Sequence, residues 1–445
     1  MSGMRVQRRR LGEPGRGRGR GPGRRLGAAA AGIGTALALT ALSGCSGHTP
    51  LSKDKDVTLH VVAADYGDAK TGNSSTGYWD SVADAFEKDN PHITVDVQVV
   101  DWDHVDDTVD SMVKAGKAPD IAQIGSYADY AAKGLLYSAD DLFTISQQAD
   151  FLSSLAAAGS VNRVQYGLPW VSSSRLFFYN KTLFANAGIK KAPATWDELA
   201  KDARKLKADG VKEPYGLPLG TEEAQAETLM WMLGAGGGYT DTVNDYTFDS
   251  AANVTAFKFL KNDLVGKGLT GSGDPATTNR RDVFADFLAG KVGMLNGHPT
   301  LLAQAKAAHI DVGVAPLPGL KGPANDTLGV ADWMMAFKQK DDHLDADSAF
   351  LRYVYSAQNS RKFLDEYGLL PVTTSVLDQM QADPKEADMR QFLVQLPRAV
   401  FYPVNKTSWG PVSDQVKKTI GKAVHGDPAQ VLNSLQRFAV SQTGK

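Results

Sequence analysis

Cysteine is nearly absent from this 445-residue chain, with Cys45 the only one. Without a second thiol there is no internal disulfide, and stability must come from hydrophobic cores. No His/Asp/Glu spacing suggests a metal centre. Asp101, Asp103, Asp106, Asp107 and Asp110 lack the glycine and terminal glutamate of an EF-hand loop; they suit the acidic, solvated start of a helix. The nucleophile elbow G-x-S-x-G and the zinc-protease H-E-x-x-H are missing. The glycine run 234–238 (GAGGG) has neither dinucleotide nor Walker spacing. It fits a tight turn, or backbone brought close to a ligand. Beyond residue 44 there is no basic patch, no apolar stretch long enough to span a bilayer, no internal repeat and no low-complexity tract.

Positive charge is concentrated in the first 25 residues. The whole chain carries 48 Lys+Arg and 50 Asp+Glu. Residues 1–44 hold nine of the arginines and one acidic residue, Glu13, which leaves 39 basic against 49 acidic residues, near −10. An arginine-rich arm alone could bind nucleic acid. Here it precedes an uncharged apolar run, 26–42, and then Leu42-Ser43-Gly44-Cys45. That order is the order of a secretory signal, and Leu-Ser-Gly-Cys resembles a lipobox, with Cys45 as the lipid-bearing residue. Arg24-Arg25 leaves the export route, general or twin-arginine, open. The expectation is a lipoprotein signal over 1–44 and a flexible tether over 45–56. The lipid anchors the chain to the outer face of the cell membrane without spanning it. The acidic remainder argues against nucleic acid as a partner.

About 400 residues after the leader exceed what one core usually supports, so two domains are expected. Strand patterns at 57–63, 93–100 and 119–124 alternate with helical spacing at 78–88 and 105–113. That alternation predicts an α/β fold with a mostly parallel sheet covered by helices. Further on, 224–233 reads as helix, 284–296 as helix, turn and strand, 312–318 and 329–337 as strands, and 350–367 as one helix. Helices at 412–424 and 428–440 close the chain. The stretch 166–207 reads as a crossover: a strand at 176–179, a short helix stopped by Gly188, and a helix opened by Thr195 with Glu198 three residues on, the pattern of a capping box.

Several of these segments share one resemblance. "YGLP…FYNKTLFANAGI…PATWDEL", "FEKDNPHITV", "APDIAQ", "GLLYSADDL" and "FLAGKVGMLNG" occur in the order found in the extracellular solute-binding proteins of bacterial ABC importers, in the large group that includes sugar binders. The resemblance covers essentially everything after Asp56. It implies a two-lobed periplasmic-binding-protein fold (type II, venus-flytrap) with hinge crossings near 169–174, 296–299 and 340–345. The lobes are then 57–172 plus 297–343, and 173–296 plus 344–445. It implies no catalysis and no cofactor, a monomer, one small-molecule ligand held between the lobes, and the permease subunits of an importer as partners.

A sugar offers apolar C–H faces to aromatic rings and hydroxyls to carboxylates, amides and histidine. The candidate ligand-binding residues are therefore aromatics and polar groups in loops that follow strands. They are Tyr66, Asp68, Trp102, Ser126, Tyr127, Trp170, Ser172, Glu222, Trp231, Asn296, His298, Asp332, Trp333 and Trp409. Each aromatic among them is either a platform for ligand or a buried core ring. Trp79 and Trp196 lie on helix patterns and read as packing. Two other classes stay open: a secreted glycoside hydrolase, which needs two carboxylates about 5–10 Å apart, and a binder of a non-sugar solute.

Overall fold

The computed structural model describes residues 56–67 and 72–444. The leader, Cys45 and the candidate Asp68 lie outside the described residues. The first sheet starts with β1 (Val57–Ala64), which pairs in parallel with β2 (Ile93–Val100) and with β3 (Ile121–Ile124). Helix α1 (Thr76–Asp89) joins β1 to β2 and buries Tyr78, Trp79, Val82, Ala83 and Phe86. Those positions recur at helical spacing, so one stripe faces the sheet and the rest faces water. Helix α2 (Val105–Lys114) opens with Asp106 and Asp107, where the helix dipole favours negative charge.

The chain then runs through β4 (Leu168–Ser174) into β5 (Leu176–Asn180). In the second sheet β5 pairs antiparallel with β7 (Val292–Gly297) and β8 (Val312–Ala315), while β6 (Glu213–Gly216) lies parallel to β7. Thr195 caps helix α3 (Trp196–Ala208), accepting from Glu198 N at 3.1 Å, and the Glu198 carboxylate accepts from Ala194 N at 2.7 Å. Helix α4 (Ala224–Gly234) is buried almost all round. Both sheets are mixed rather than mostly parallel.

The two sheets belong to two lobes joined by three crossing segments. One is Ser174–Leu176. The second is the start of β9 (Thr327–Ala336), and the third is β10 (Ala399–Val400). They are stitched side by side. Thr327 and Leu328 pair in parallel with Ala399 and Val400, Gly329 pairs with Ser174, and Thr327 Oγ1 donates to Arg175 O at 2.6 Å. Of the expected crossings, 169–174 is adjacent to a real one. The other two are corrected. Gly297 ends a strand of the second sheet, and the helix Pro299–Ala307 packs beside β8. Residues 340–345 lead directly into the helix Leu344–Val354, which covers the first sheet.

The expected lobe limits shift accordingly. Phe350 packs on Phe86, and Phe363 packs on Tyr78 and Trp170, so residues 344–396 complete the first lobe. Only the segment after β10 returns to the second: helix α5 (Trp409–Thr419) and the helix Pro428–Gln442 join the core around α4. The expected helix 350–367 is two helices, broken before Ala357, where Ser356 caps the second. No helix among the described residues is long and apolar enough to cross a membrane.

Candidate functional site

Where the lobes face each other there is a cavity of about 700 Å³. The first lobe contributes Trp102, which follows β2, and Asp106, Gly125, Ser126 and Asp129 around the end of β3. The crossing strand β9 contributes Val330, Ala331 and Asp332, and the second lobe contributes Gln225, Tyr402, Lys406, Trp409 and Lys417. The volume lies within the range of small-molecule sites. Two polar atoms at its wall are left without partners among the described residues, Gln225 Oε1 and the Tyr402 hydroxyl. Buried polar groups are rarely left so, because an unmet one costs about 1–3 kcal/mol.

The rings are held edge and face. Tyr66 stands perpendicular to Trp102 at 5.4 Å, and Trp409 stacks on Tyr402 at 5.5 Å. Tyr66 donates to Asp332 Oδ2 at 2.6 Å, and Gln123 Nε2 donates to the same phenol at 3.0 Å. Burial pushes the Asp332 carboxyl up to about 6, against the Tyr66 hydrogen bond that lowers it. Asp106 is also raised, chiefly by burial, although Gly125 N donates to it at 3.1 Å.

A second polar group lies in the second lobe and is closed. Arg175 ion-pairs with Glu223 at 3.2 Å, and Arg280 with Glu222 at 3.0 Å and also with Glu223. Arg280 Nη1 lies 3.0 Å from His298 Nε2. Burial first, then the charges of Arg175 and Arg280, push the His298 pKa well below its ordinary value, so its neutral ring can accept that proton. Beside it Glu227 Oε1 accepts from Trp231 Nε1 at 2.8 Å, Asn296 Nδ2 at 3.0 Å and the Tyr215 hydroxyl at 3.3 Å. Burial holds Glu227 at about 8 in spite of these donors.

Residues 72–361 match the family model for bacterial extracellular solute-binding proteins. The chain belongs to that family. A binding protein of Brucella abortus is 32% identical over 80% of this chain and 85% of its own length. The multiple sugar-binding protein of Streptococcus mutans is 26% identical over 64% and 69% respectively. Among solved structures, the cyclic alpha-maltosyl-1,6-maltose binding protein from Arthrobacter globiformis superposes with a TM-score of 0.74. It is 18% identical and covers 87% of this chain and 99% of that one.

This solute-binding protein brings only part of the candidate set together. Trp102, Ser126, Asp332 and Trp409 line the cavity, and Tyr66 stands directly behind Asp332. Trp170 and Trp333 are core rings, each about 1% exposed. Tyr127 is buried against Trp333 and donates to Ala158 O, and Ser172 is buried with its hydroxyl on Pro371 O. Trp231, Asn296, His298 and Glu222 belong to the closed polar group, not to the cavity. Sequence reasoning missed Gln225, Tyr402, Lys406 and Lys417. Tyr402 sits just past β10, and the crossing there carries no pattern longer than two residues. The glycine run is a turn: Gly236 has φ 78°, and Asn253 bonds both N and O of Gly238. Among the described residues no group of three or more His, Cys, Asp or Glu is placed to hold a metal ion.

Proposed function

We propose that this protein captures a carbohydrate between its lobes and passes it to the permease of an ABC importer. The observation that carries the reading is the cavity itself. Aromatic rings from both lobes, Trp102 and Trp409, share it with unpartnered Gln225 and Tyr402 and with Asp332. Rings meet the C–H faces of a sugar, and the polar groups meet its hydroxyls. Ligand contacts to both lobes favour the closed arrangement, and three short crossings let the lobes move. The name of the S. mutans relative, a multiple sugar-binding protein, supports the same class. The signal over 1–44 directs export and is removed, and a lipid on Cys45 holds the protein, as a monomer, on the extracytoplasmic face of the membrane.

A thermal-shift screen of the chain from residue 46 onward against mono- and oligosaccharides tests the reading, since a bound ligand raises stability by mass action. Stabilising sugars are then titrated calorimetrically and recovered. Binding with the sugar intact supports the proposal. A broad panel without a hit sinks it, and a cleavage product turns the protein into a hydrolase. Cys45→Ala should release the protein from the membrane fraction.

A further inference from the structure

Asp332 has a position no other carboxylate in the cavity shares. It lies on the crossing strand β9, and the pairing of β9 with β4 slips between Asp332 and Trp333. The slip leaves Trp170 of β4 without an opposite residue, while strand alternation puts Trp333 in the core and Asp332 on the other face, at the cavity. Its Oδ2 accepts from Tyr66, which Gln123 fixes in turn; Gln123 Oε1 is anchored by Ala64 N at 2.8 Å. Oδ1 has no partner among the described residues. An acceptor with one oxygen locked and the other free is oriented towards whatever enters.

The charges around it differ in how fully they are engaged. Asp106, Asp129, Asp414, Tyr402, Lys406 and Lys417 line the same cavity. Lys406 donates to Asn244 O at 2.8 Å and lies over the Tyr246 ring. Among the described residues no arginine lines the cavity. The nearby Arg175 and Arg280 are committed to Glu222 and Glu223. An anion in the cavity would face acidic groups with no guanidinium fork to hold it.

We propose that Asp332 is the specificity-determining acceptor of the cleft: it takes hydrogen bonds from paired hydroxyls of an uncharged sugar and turns away phosphorylated or carboxylated ones. This rests on the carbohydrate reading and narrows it. An ionised carboxylate is the stronger acceptor, so the ligand selects the ionised form. With half-ionisation near pH 6, the competent fraction falls about tenfold between pH 7 and pH 5, and apparent affinity falls with it.

The experiment is a thermal-shift and calorimetric comparison of neutral sugars (glucose, maltose, trehalose and longer maltodextrins) with glucose 6-phosphate, trehalose 6-phosphate and sn-glycerol 3-phosphate. Neutral ligands should bind, and phosphate esters should bind at least about tenfold more weakly. Affinity for the neutral hit should drop about tenfold from pH 7 to pH 5. Asp332→Asn should weaken that hit about tenfold at pH 7 and flatten its pH profile. Tyr66→Phe should move the midpoint of the profile upward, a change that a purely structural tyrosine would not produce. A phosphate ester that binds better than its neutral parent overturns the proposal. So does a wild-type affinity that is level from pH 7 to pH 5, even where Asp332→Asn fails to fold. A panel without any hit overturns the carbohydrate reading and this inference together.

Discussion

The cavity and the closed polar group are built from the same residue types and do opposite things. Each has tryptophan, carboxylates, an amide and basic side chains. In the closed group each of these side chains faces a partner: Arg175 with Glu223, Arg280 with Glu222, Glu227 with three donors. At the cavity Gln225 Oε1, the Tyr402 hydroxyl and one oxygen of Asp332 have no partner among the described residues. The closed group spends its hydrogen bonds on holding α4 against β7, whereas the open one keeps them for a ligand. A third region, the shallow groove of about 830 Å³ along Ala357–Glu366, follows the closed pattern. Its Arg361 pairs with Asp365, Asp383 and Glu386.

The largest expected effect comes from opening the closed group. Arg175→Ala removes one of the two guanidinium partners of half-buried Glu223, which keeps Arg280, and should cost up to about 3 kcal/mol of stability. Chemical denaturation of the ligand-free protein measures it. Trp231→Ala should cost a similar amount, since it removes a core ring and a donor to Glu227. An unchanged denaturation midpoint in either variant would show that this group is not structural.

Glu227 sharpens the same point through pH. Its folded pKa, about 8, lies above its ordinary value of 4.5 because of burial. A carboxyl raised in the folded state favours folding fully below pH 4.5, and that contribution is lost as pH rises through about 8. The loss should amount to a few kcal/mol across that window. Glu227→Gln should remove this slope, so that melting temperatures of variant and wild type converge at low pH and separate at high pH. Parallel curves would place the titration elsewhere.

Trp102→Ala belongs to the open region, and its effect should fall on binding. Trp102 is half-buried and touches Tyr66 only edge-on. Its loss should weaken the sugar about thirtyfold, or about 2 kcal/mol, with much less effect on the unliganded melting temperature. Equal losses in stability and affinity would make it a core ring like Trp170.

How much of this was legible follows from the range of each signal. Local chemistry read well. Thr195 with Glu198 marked a helix start, and alternation gave β2 its limits. The α/β class and the two lobes followed from such elements and from the ordered motifs. Long-range choices did not read. Alternation sets Asp332 and Trp333 on opposite faces, but nothing near them or near Trp170 tells which face becomes core and which lines the cavity. The chain after residue 344 looked like second-lobe material. Its allegiance is set by Phe350 and Phe363 meeting rings more than two hundred residues earlier.

The smallest effect is the cleanest test of the comparison. Ser126 follows β3, is exposed at the cavity wall, and has no hydrogen-bond partner among the described residues. Nothing in the fold depends on its hydroxyl. Ser126→Ala should therefore leave the melting temperature of the free protein unchanged. If that hydroxyl meets the sugar, affinity should fall by about 0.5–1.5 kcal/mol, roughly three- to tenfold, which calorimetry resolves. Ser172 is the matched control. Its hydroxyl is already spent on Pro371 O at 2.8 Å, so Ser172→Ala should lower stability by a similar amount and leave affinity alone. A reversal of that pattern would mean that partner satisfaction does not separate the two regions.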